Sequence, residues 1–356
     1  LRYLVYGAGA VGSFVGGCLA LDGNPVVFVG RDKIRRAVID SGLQLTGDRT
    51  SGLISRPDFF ERLDPTFDLP TPDVVLLTTK AYDLAAATED LARFASRLPP
   101  VVCMLNGIGA ESYLAAHLGS ENIIPASLTT AVQMIRPGMI RVERRRGVGL
   151  AAAHLLSRAI ADDMLAAGLQ PRLYSDPDRM KWSKLITNIV ANATCAITGW
   201  SPAAVYRHSD LARLELRSLR EAFQVMRGMG LSPVNLPGVP MALFGPLLLL
   251  PDALVRPAIA RYVAAGRGAK PPSLRFDIGR GRSEIGWLNG AIVSWGARLG
   301  IPTPANDVLT DVMSELVMGE VDPAAYHGRP EALLSRAVNA RSAGVRYNAA
   351  SAARGR

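Results

Sequence analysis

Between Leu1 and Ser120, apolar residues gather in short unbroken runs separated by longer stretches of helical spacing. Arg2–Tyr6, Pro25–Val29, Asp73–Thr79 (DVVLLTT) and Pro100–Leu105 (PVVCML) are the runs. The last two are apolar almost throughout, the mark of strands covered on both faces of a parallel sheet. Ala10–Leu21, rich in small residues, and Leu84–Leu98 read as helices, Ile34–Ser41 as a helical turn, and Thr46-Gly47-Asp48 as a hairpin tip. This alternation of strand and helix predicts a doubly wound α/β sheet, to which the β-branched stretch Ile123–Leu150 adds further strands. From Asp176 the texture changes. Lys181–Ile197, Asp210–Met229, Ile278–Leu299 and Asn306–Met318 all suit helices and predict a second, mostly helical domain. Arg329–Arg356 is rich in Ala, Ser and Arg and reads as a mobile basic tail. The expected organisation is 1–172, 173–328 and a tail at 329–356.

Composition agrees with this picture and narrows it. A chain of 356 residues, 49% hydrophobic and 20% charged, suits about two globular domains. Three widely spaced cysteines exclude a disulfide scaffold, and four histidines without ligand spacing argue against a metal site. Leu236–Leu250 carries no charge, but it is too short to span a bilayer and contains Pro237, Pro240 and Pro246. It reads as a buried, proline-bent loop or short helix. Val15-Gly16-Gly17-Cys18 has the look of a lipoprotein cleavage site, yet the same residues fit a better glycine pattern. The expectation is a soluble, cytoplasmic protein with no membrane partner.

The formal net charge is +9. The tail accounts for +5 of it and the body for the remaining +4, so the charge does not require a nucleic-acid partner. The kind of basic residue is more telling: five lysines (Lys33, Lys80, Lys181, Lys184, Lys270) stand against 35 arginines.

Gly7-Ala8-Gly9-Ala10-Val11-Gly12 is G-x-G-x-x-G, placed after a strand and opening a helix. Gly7 permits a tight turn, Gly9 lets backbone approach a pyrophosphate, and Gly12 allows helix and strand to pack closely. The helix N-terminus offers free N–H groups to phosphates. At the end of the second strand, Gly30-Arg31-Asp32-Lys33 bears on the choice between NAD and NADP. Arg31 suits a 2′-phosphate, which favours NADP (NADPH), whereas Asp32 facing the ribose would favour NAD. Lys33 reads equally as a phosphate ligand or a surface lysine.

Three further segments share a recognisable order with the glycine turn and the Ser273–Asn306 region. They are Thr79-Lys80-Ala81-Tyr82-Asp83, Leu105-Asn106-Gly107-Ile108-Gly109, and Trp182-Ser183-Lys184-Leu185 leading into Asn188. Together they resemble the ketopantoate reductase (2-dehydropantoate 2-reductase) family from residue 1 to about 320. The resemblance implies a Rossmann domain followed by a helical domain of the 6-phosphogluconate dehydrogenase type, commonly assembled as a homodimer. The implied activity is NADPH-dependent reduction of an α-keto acid to an α-hydroxy acid, with ketopantoate to pantoate, in pantothenate biosynthesis, as the founding case. By resemblance, Lys184 is the general acid and Glu284 the carboxylate that orients the substrate hydroxyl and nearby lysine. Asn188, Asn192 and Ser273 touch substrate. Lys80 and Asn106 contact the nicotinamide end of the cofactor and the substrate. Thr129 and Thr130 match another family segment or are ordinary strand residues.

The chemistry of the residues points the same way. A ketone that receives a hydride becomes an alkoxide and needs a proton donor. On one continuous helix, Lys184, Asn188 and Asn192 at i, i+4 and i+8 lie within about 80° of one another. Lysine can be tuned to give up a proton where arginine cannot, so a lysine retained in an arginine-biased chain stands out. Lys181, three residues earlier, is expected to face solvent. Asp277–Glu284 is one residue shorter than the family interval, so Glu284 reads as a substrate ligand or as a helix-surface partner of Arg280 or Arg282. Ser232–Lys270 is long and apolar, which keeps a bulkier keto acid or an opine-like imine open as substrate. A non-catalytic NADPH-sensing regulator is the remaining alternative.

Overall fold

The computed structural model describes residues 1–47, 51–63, 71–94, 98–267 and 272–338. Its strands are β1 (Tyr3–Tyr6), β2 (Val26–Val29), β3 (Leu43–Thr46), β4 (Gly52–Ile54), β5 (Asp58–Phe60), β6 (Val74–Leu77), β7 (Val101–Cys103), β8 (Ile123–Leu128), β9 (Ala131–Arg136), β10 (Met139–Arg144), β11 (Val148–Ala151) and β12 (Pro171–Tyr174). Its helices begin with α1 (Ala10–Leu21), α2 (Asp32–Ser41), α3 (Leu84–Ala92), α4 (Ala110–Leu118), α5 (Ser157–Ala166) and α6 (Pro177–Ile189). They continue with α7 (Ala193–Thr198), α8 (Pro202–Arg207), α9 (Ser209–Gly228), α10 (Phe244–Leu248), α11 (Asp252–Arg267), α12 (Asn289–Leu299) and α13 (Pro304–Met318).

Two compact units emerge, Leu1–Lys184 with Val234–Met241, and Leu185–Pro233 with Ala242–Arg356. The chain therefore changes unit inside α6, whereas the sequence reading places the boundary earlier, at 172/173. The first unit is built on the predicted doubly wound sheet, in the order β12-β11-β8-β7-β6-β1-β2-β5. β6 and β7 are buried at every position, as unbroken apolar strands between two helical layers must be. The order reverses at β1, which has β2 on one side and β6 on the other. The C-terminal ends of these strands form the crevice where open α/β sheets take ligands.

The stretch Ile123–Leu150 does not all join that sheet. β8 and β11 do, paired antiparallel. β9 and β10 instead extend the predicted hairpin of β3 and β4 into a second sheet, in the order β4-β3-β10-β9. Asp48 of the hairpin tip lies outside the described residues. The second sheet closes over α1: Leu43, Leu45, Ile140 and Val142 share one buried cluster with Phe14, Val15 and Leu19. Each of these side chains contributes about 1.5–3 kcal/mol by leaving water.

The second unit is helical, as expected, with three boundary corrections. Lys181–Ile197 is two helices, because Ala191 has a left-handed backbone (φ 49°) that interrupts the α-helical ladder. Ile278–Leu299 is helical only as α12, preceded by short 3₁₀ turns at Ser273–Asp277 and Ile285–Trp287. Residues 330–338, assigned above to a mobile tail, are also helical. Leu333 is fully buried there and Arg336 donates to Glu315 at 2.6 Å, so these residues have a packed face and a charged partner. The rest of the tail lies outside the described residues. In the predicted proline-bent stretch Leu236, Met241, Phe244 and Leu248 are buried, while Leu243 and Leu249 are exposed. No helix among the described residues is long and apolar enough to cross a membrane.

Candidate functional site

The glycine turn joins β1 to α1. Gly7 sits at φ 105°, and a Cβ there would lie 2.6 Å from the Thr79 backbone nitrogen. A Cβ on Gly12 would meet Thr78 Oγ1 at 2.4 Å and the Gly7 carbonyl at 2.5 Å. Both positions exclude side chains for reasons internal to the fold. Gly9 differs. Its backbone is ordinary (φ −77°), and an added Cβ would have only the Gly7 carbonyl within 4 Å, at 3.9 Å. Nothing among the described residues requires glycine at position 9, and the space above the turn is open. The first bond of α1 runs from the Ser13 N–H to the Gly9 carbonyl at 2.9 Å, so the Ala10, Val11 and Gly12 N–H groups precede the helical ladder. Bare backbone, free donors and the positive end of a helix fit a dinucleotide pyrophosphate. Ala8 supports the turn from below, its N–H bonded to the Val29 carbonyl at 2.8 Å.

Arg31 immediately precedes α2, and its guanidinium is 69% exposed with Asp83 at 3.6 Å. Asp32 is the first residue of α2 and accepts from Arg35 at 3.0 Å and Arg36 at 2.6 Å. Its carboxylate pairs with two arginines of its own helix.

Lys80 and Asn106 follow β6 and β7 at the ligand edge of the sheet; Lys80 is half-buried and Asn106 exposed. Lys184 is half-buried on α6. Thr129 and Thr130 are buried behind β8. Thr129 Oγ1 donates to the Gly147 and Pro237 carbonyls, and Thr130 Oγ1 accepts from the Arg146 and Gly147 N–H groups. Their visible work is to hold the backbone around Gly147.

The expectation for Lys181 was wrong. It is 4% exposed, and its ammonium donates to the Leu105 carbonyl at 2.6 Å while pairing with Glu111 at 2.6 Å. The Ala126 carbonyl lies at 3.4 Å. Burial acts to lower its pKa and is the largest influence, but the Glu111 carboxylate outweighs it and holds Lys181 above the ordinary lysine value. Burial, reinforced by Glu111, pushes the Cys103 thiol up, so it stays protonated. Helical spacing could not reveal a partner 70 residues away on α4. The arginine bias that marked Lys184 applied equally to Lys181, and that was the available signal.

In the second unit, Asn188 is half-buried near the end of α6. Asn192 does not share its helix face, because the Ala191 turn intervenes and Asn192 caps α7. That turn is held by Glu215, which accepts from the Ala191 N–H at 2.7 Å and from Thr194 Oγ1. Redirected in this way, Asn192 Nδ2 donates to Ser273 Oγ at 3.3 Å, while its Oδ1 lies 3.5 Å from the Leu274 nitrogen. Two of the expected substrate ligands therefore meet. Glu284 is 3% exposed and precedes the second 3₁₀ turn. It is not a helix-surface residue. Asp277 accepts from Ser283 Oγ at 2.9 Å, and Gly279 and Gly281 both have positive φ, so the one-residue contraction is absorbed in a loop rather than turned along a helix.

Residues 3–153 match the sequence profile described as ketopantoate reductase PanE/ApbA, and residues 176–317 match its C-terminal counterpart. The chain belongs to the ketopantoate reductase family. Among curated relatives, a 2-dehydropantoate 2-reductase of Archaeoglobus fulgidus is 28% identical over 326 residues, covering 89% of this chain and 98% of the relative. One from Halobacterium salinarum is 25% identical over 323 residues, covering 88% and 98%. The PanE/ApbA family ketopantoate reductase from Ralstonia eutropha JMP134 has a similar structure, with TM-score 0.76 and 26% identity over 90% of this chain and 99% of that one. D-mandelate dehydrogenase with NADH and anilino(oxo)acetate shares the fold, with TM-score 0.72 and 21% identity over 90% and 99%. The chain is thus an oxidoreductase-family protein with a Rossmann-like first domain and a helical second one.

Proposed function

We propose that this chain reduces a 2-keto acid to the 2-hydroxy acid with NADPH, that its substrate is 2-dehydropantoate, and that Lys184 donates the proton. One observation carries the reading: the bond from Lys181 to the Leu105 carbonyl. It draws α6, and Lys184 with it, toward the end of β7, in the same compact unit as the glycine turn.

The Ala10–Gly12 N–H groups bind the pyrophosphate, and the exposed Arg31 takes a 2′-phosphate that Asp32, held by Arg35 and Arg36, does not contest. Lys80 and Asn106 line the nicotinamide end. When bound, the nicotinamide supplies a hydride to the ketone carbon. Lys184 Nζ then protonates the developing alkoxide oxygen and recovers its own proton from solvent through its half-exposed side. Asn188, Asn192 and Ser273 offer neutral donors and acceptors to the acid's carboxylate and hydroxyl, and the buried Glu284 orients that hydroxyl.

The deciding experiment follows absorbance at 340 nm with purified protein, NADPH or NADH, and a panel running from 2-dehydropantoate to aromatic 2-keto acids. Turnover of 2-dehydropantoate with NADPH preferred is the expected result. Preference for an aromatic keto acid would replace the substrate assignment. Tight NADPH binding with no turnover would replace the enzyme by a sensor.

A further inference from the structure

We infer that Lys181 and Glu111 are positioning residues: their buried ion pair holds the helix that bears Lys184 in a fixed relation to the Leu105–Asn106 peptide. The inference rests on the proposed role of Lys184 and deepens it. Neither Lys181 nor Glu111 needs to touch substrate or cofactor.

Three oxygens surround Lys181 Nζ: Glu111 Oε1 at 2.6 Å, the Leu105 carbonyl at 2.6 Å and the Ala126 carbonyl at 3.4 Å. They come from the first turn of α4, the residue before Asn106, and β8. One ammonium joins α6 to three separate parts of the ligand edge. An ammonium presents three donors from a single point, whereas a guanidinium spreads its donors over a planar fork. This geometry gives a physical reason for lysine at 181 in a chain that otherwise favours arginine.

The linkage to chemistry is short. Lys184 lies one helical turn beyond Lys181, about 4.5 Å along α6 and about 60° around it. On the other side, the Leu105 carbonyl belongs to the peptide bond whose nitrogen is that of Asn106. Any movement that opens the ion pair shifts both the proton donor and the Asn106 turn. A buried charge stripped of its partner is strongly disfavoured, so the pair behaves as a stiff joint. Misplacement of a donor by about 1 Å is enough to cost on the order of a hundredfold in rate.

With five lysines in the chain, ¹³C reductive methylation of the full protein gives a spectrum that Lys→Arg substitutions can assign. In wild-type protein the buried Lys181 stays unlabelled and Lys184 gives one resonance. In Glu111→Gln, Lys181 becomes labelled, the Lys184 resonance moves, and its methylation rate changes about threefold or more. In the same variant kcat falls roughly 10- to 100-fold while the NADPH dissociation constant changes less than about threefold. Glu111→Asp restores part of kcat. If single substitution unfolds the protein, the double variant Lys181→Met, Glu111→Gln removes both charges together and carries the same expectations for the Lys184 resonance, its methylation rate and kcat. A folded variant whose Lys184 resonance, reactivity and kcat match wild type would overturn the inference. Wild-type protein that turns over no keto acid while Lys184 still responds to Glu111→Gln would remove the proposed reaction and keep the joint.

Discussion

The Asp32 carboxylate holds the Arg36 guanidinium at 2.6 Å, from the first position of the helix both residues share. An acid at this corner of a dinucleotide fold can serve the ribose, and here it is paired with Arg35 and Arg36 of its own helix. Arg31→Ala should therefore weaken NADPH by about 10- to 100-fold, the loss of a charge-assisted bond of about 1.5–3 kcal/mol, and change NADH less than threefold. Fluorescence titration with both nucleotides tests this. Equal losses would return Asp32 to the ribose.

The glycines of the turn separate stability from binding. Gly9→Ala meets only one atom within 4 Å and should leave the melting temperature nearly unchanged while weakening NADPH at least tenfold. Gly12→Ala drives a methyl into Thr78 and the Gly7 carbonyl and should cost about 1–3 kcal/mol of stability. Thermal melts with and without NADPH distinguish the two.

Lys184→Ala should lower kcat by about 10²- to 10⁴-fold, the usual worth of a positioned acid, and leave NADPH affinity within about twofold. Lys184→Arg should not recover the rate, since a guanidinium keeps its proton. Recovery by arginine would reduce Lys184 to a binding cation.

Ala191 and Glu215 offer a test in the second unit. Ala191→Gly relieves a left-handed backbone and should raise stability by up to about 1 kcal/mol. Glu215→Ala removes the acceptor of the Ala191 N–H and Thr194 hydroxyl and should cost about 1–3 kcal/mol. Because the same turn aims Asn192 at Ser273, KM for the keto acid should rise with it. A normal KM in a destabilised Glu215 variant would separate Asn192 from substrate binding.

His154 supplies a pH dependence. Its Nδ1 accepts the Leu156 N–H at 3.0 Å ahead of α5, and burial lowers its pKa below the ordinary histidine value. The folded state then binds this proton less readily than the unfolded one. The contribution is fully present above about pH 6.5 and is lost as pH falls through the depressed folded value. His154→Asn should remove that part of the slope in melts taken across this range.

Much of the first unit is legible in the chain because β6 and β7 must be apolar on both faces and the Gly7 turn tolerates no substitute. The second sheet is not. β9 and β10 carry ordinary strand sequence, and only the pairing of β10 with β3, and of β9 with β10, assigns them. The break at Ala191 is equally silent, since neither proline nor glycine marks it; the cause is Glu215, on α9. The burial of Lys181 is silent for the same reason, as its environment is made by α4, the Leu105 carbonyl and β8 rather than by its neighbours in sequence. The residues most exposed to such errors are those whose partners are remote.

The eight residues Val234–Met241 return from the helical half to the first unit. Tyr174 Oη donates to the Asn235 carbonyl at 2.7 Å, and Ser183 Oγ, beside Lys184, accepts the Val234 N–H at 2.9 Å. The chain therefore crosses between units three times, and no single cut yields two intact halves. A fragment ending at Lys184 keeps every strand of the nucleotide-binding sheet but loses a loop that satisfies its own polar groups. Genetically, the two halves of this protein are tied by a stitch, so insertions or fusions at the 172–184 joint cannot treat the first unit as a free-standing module.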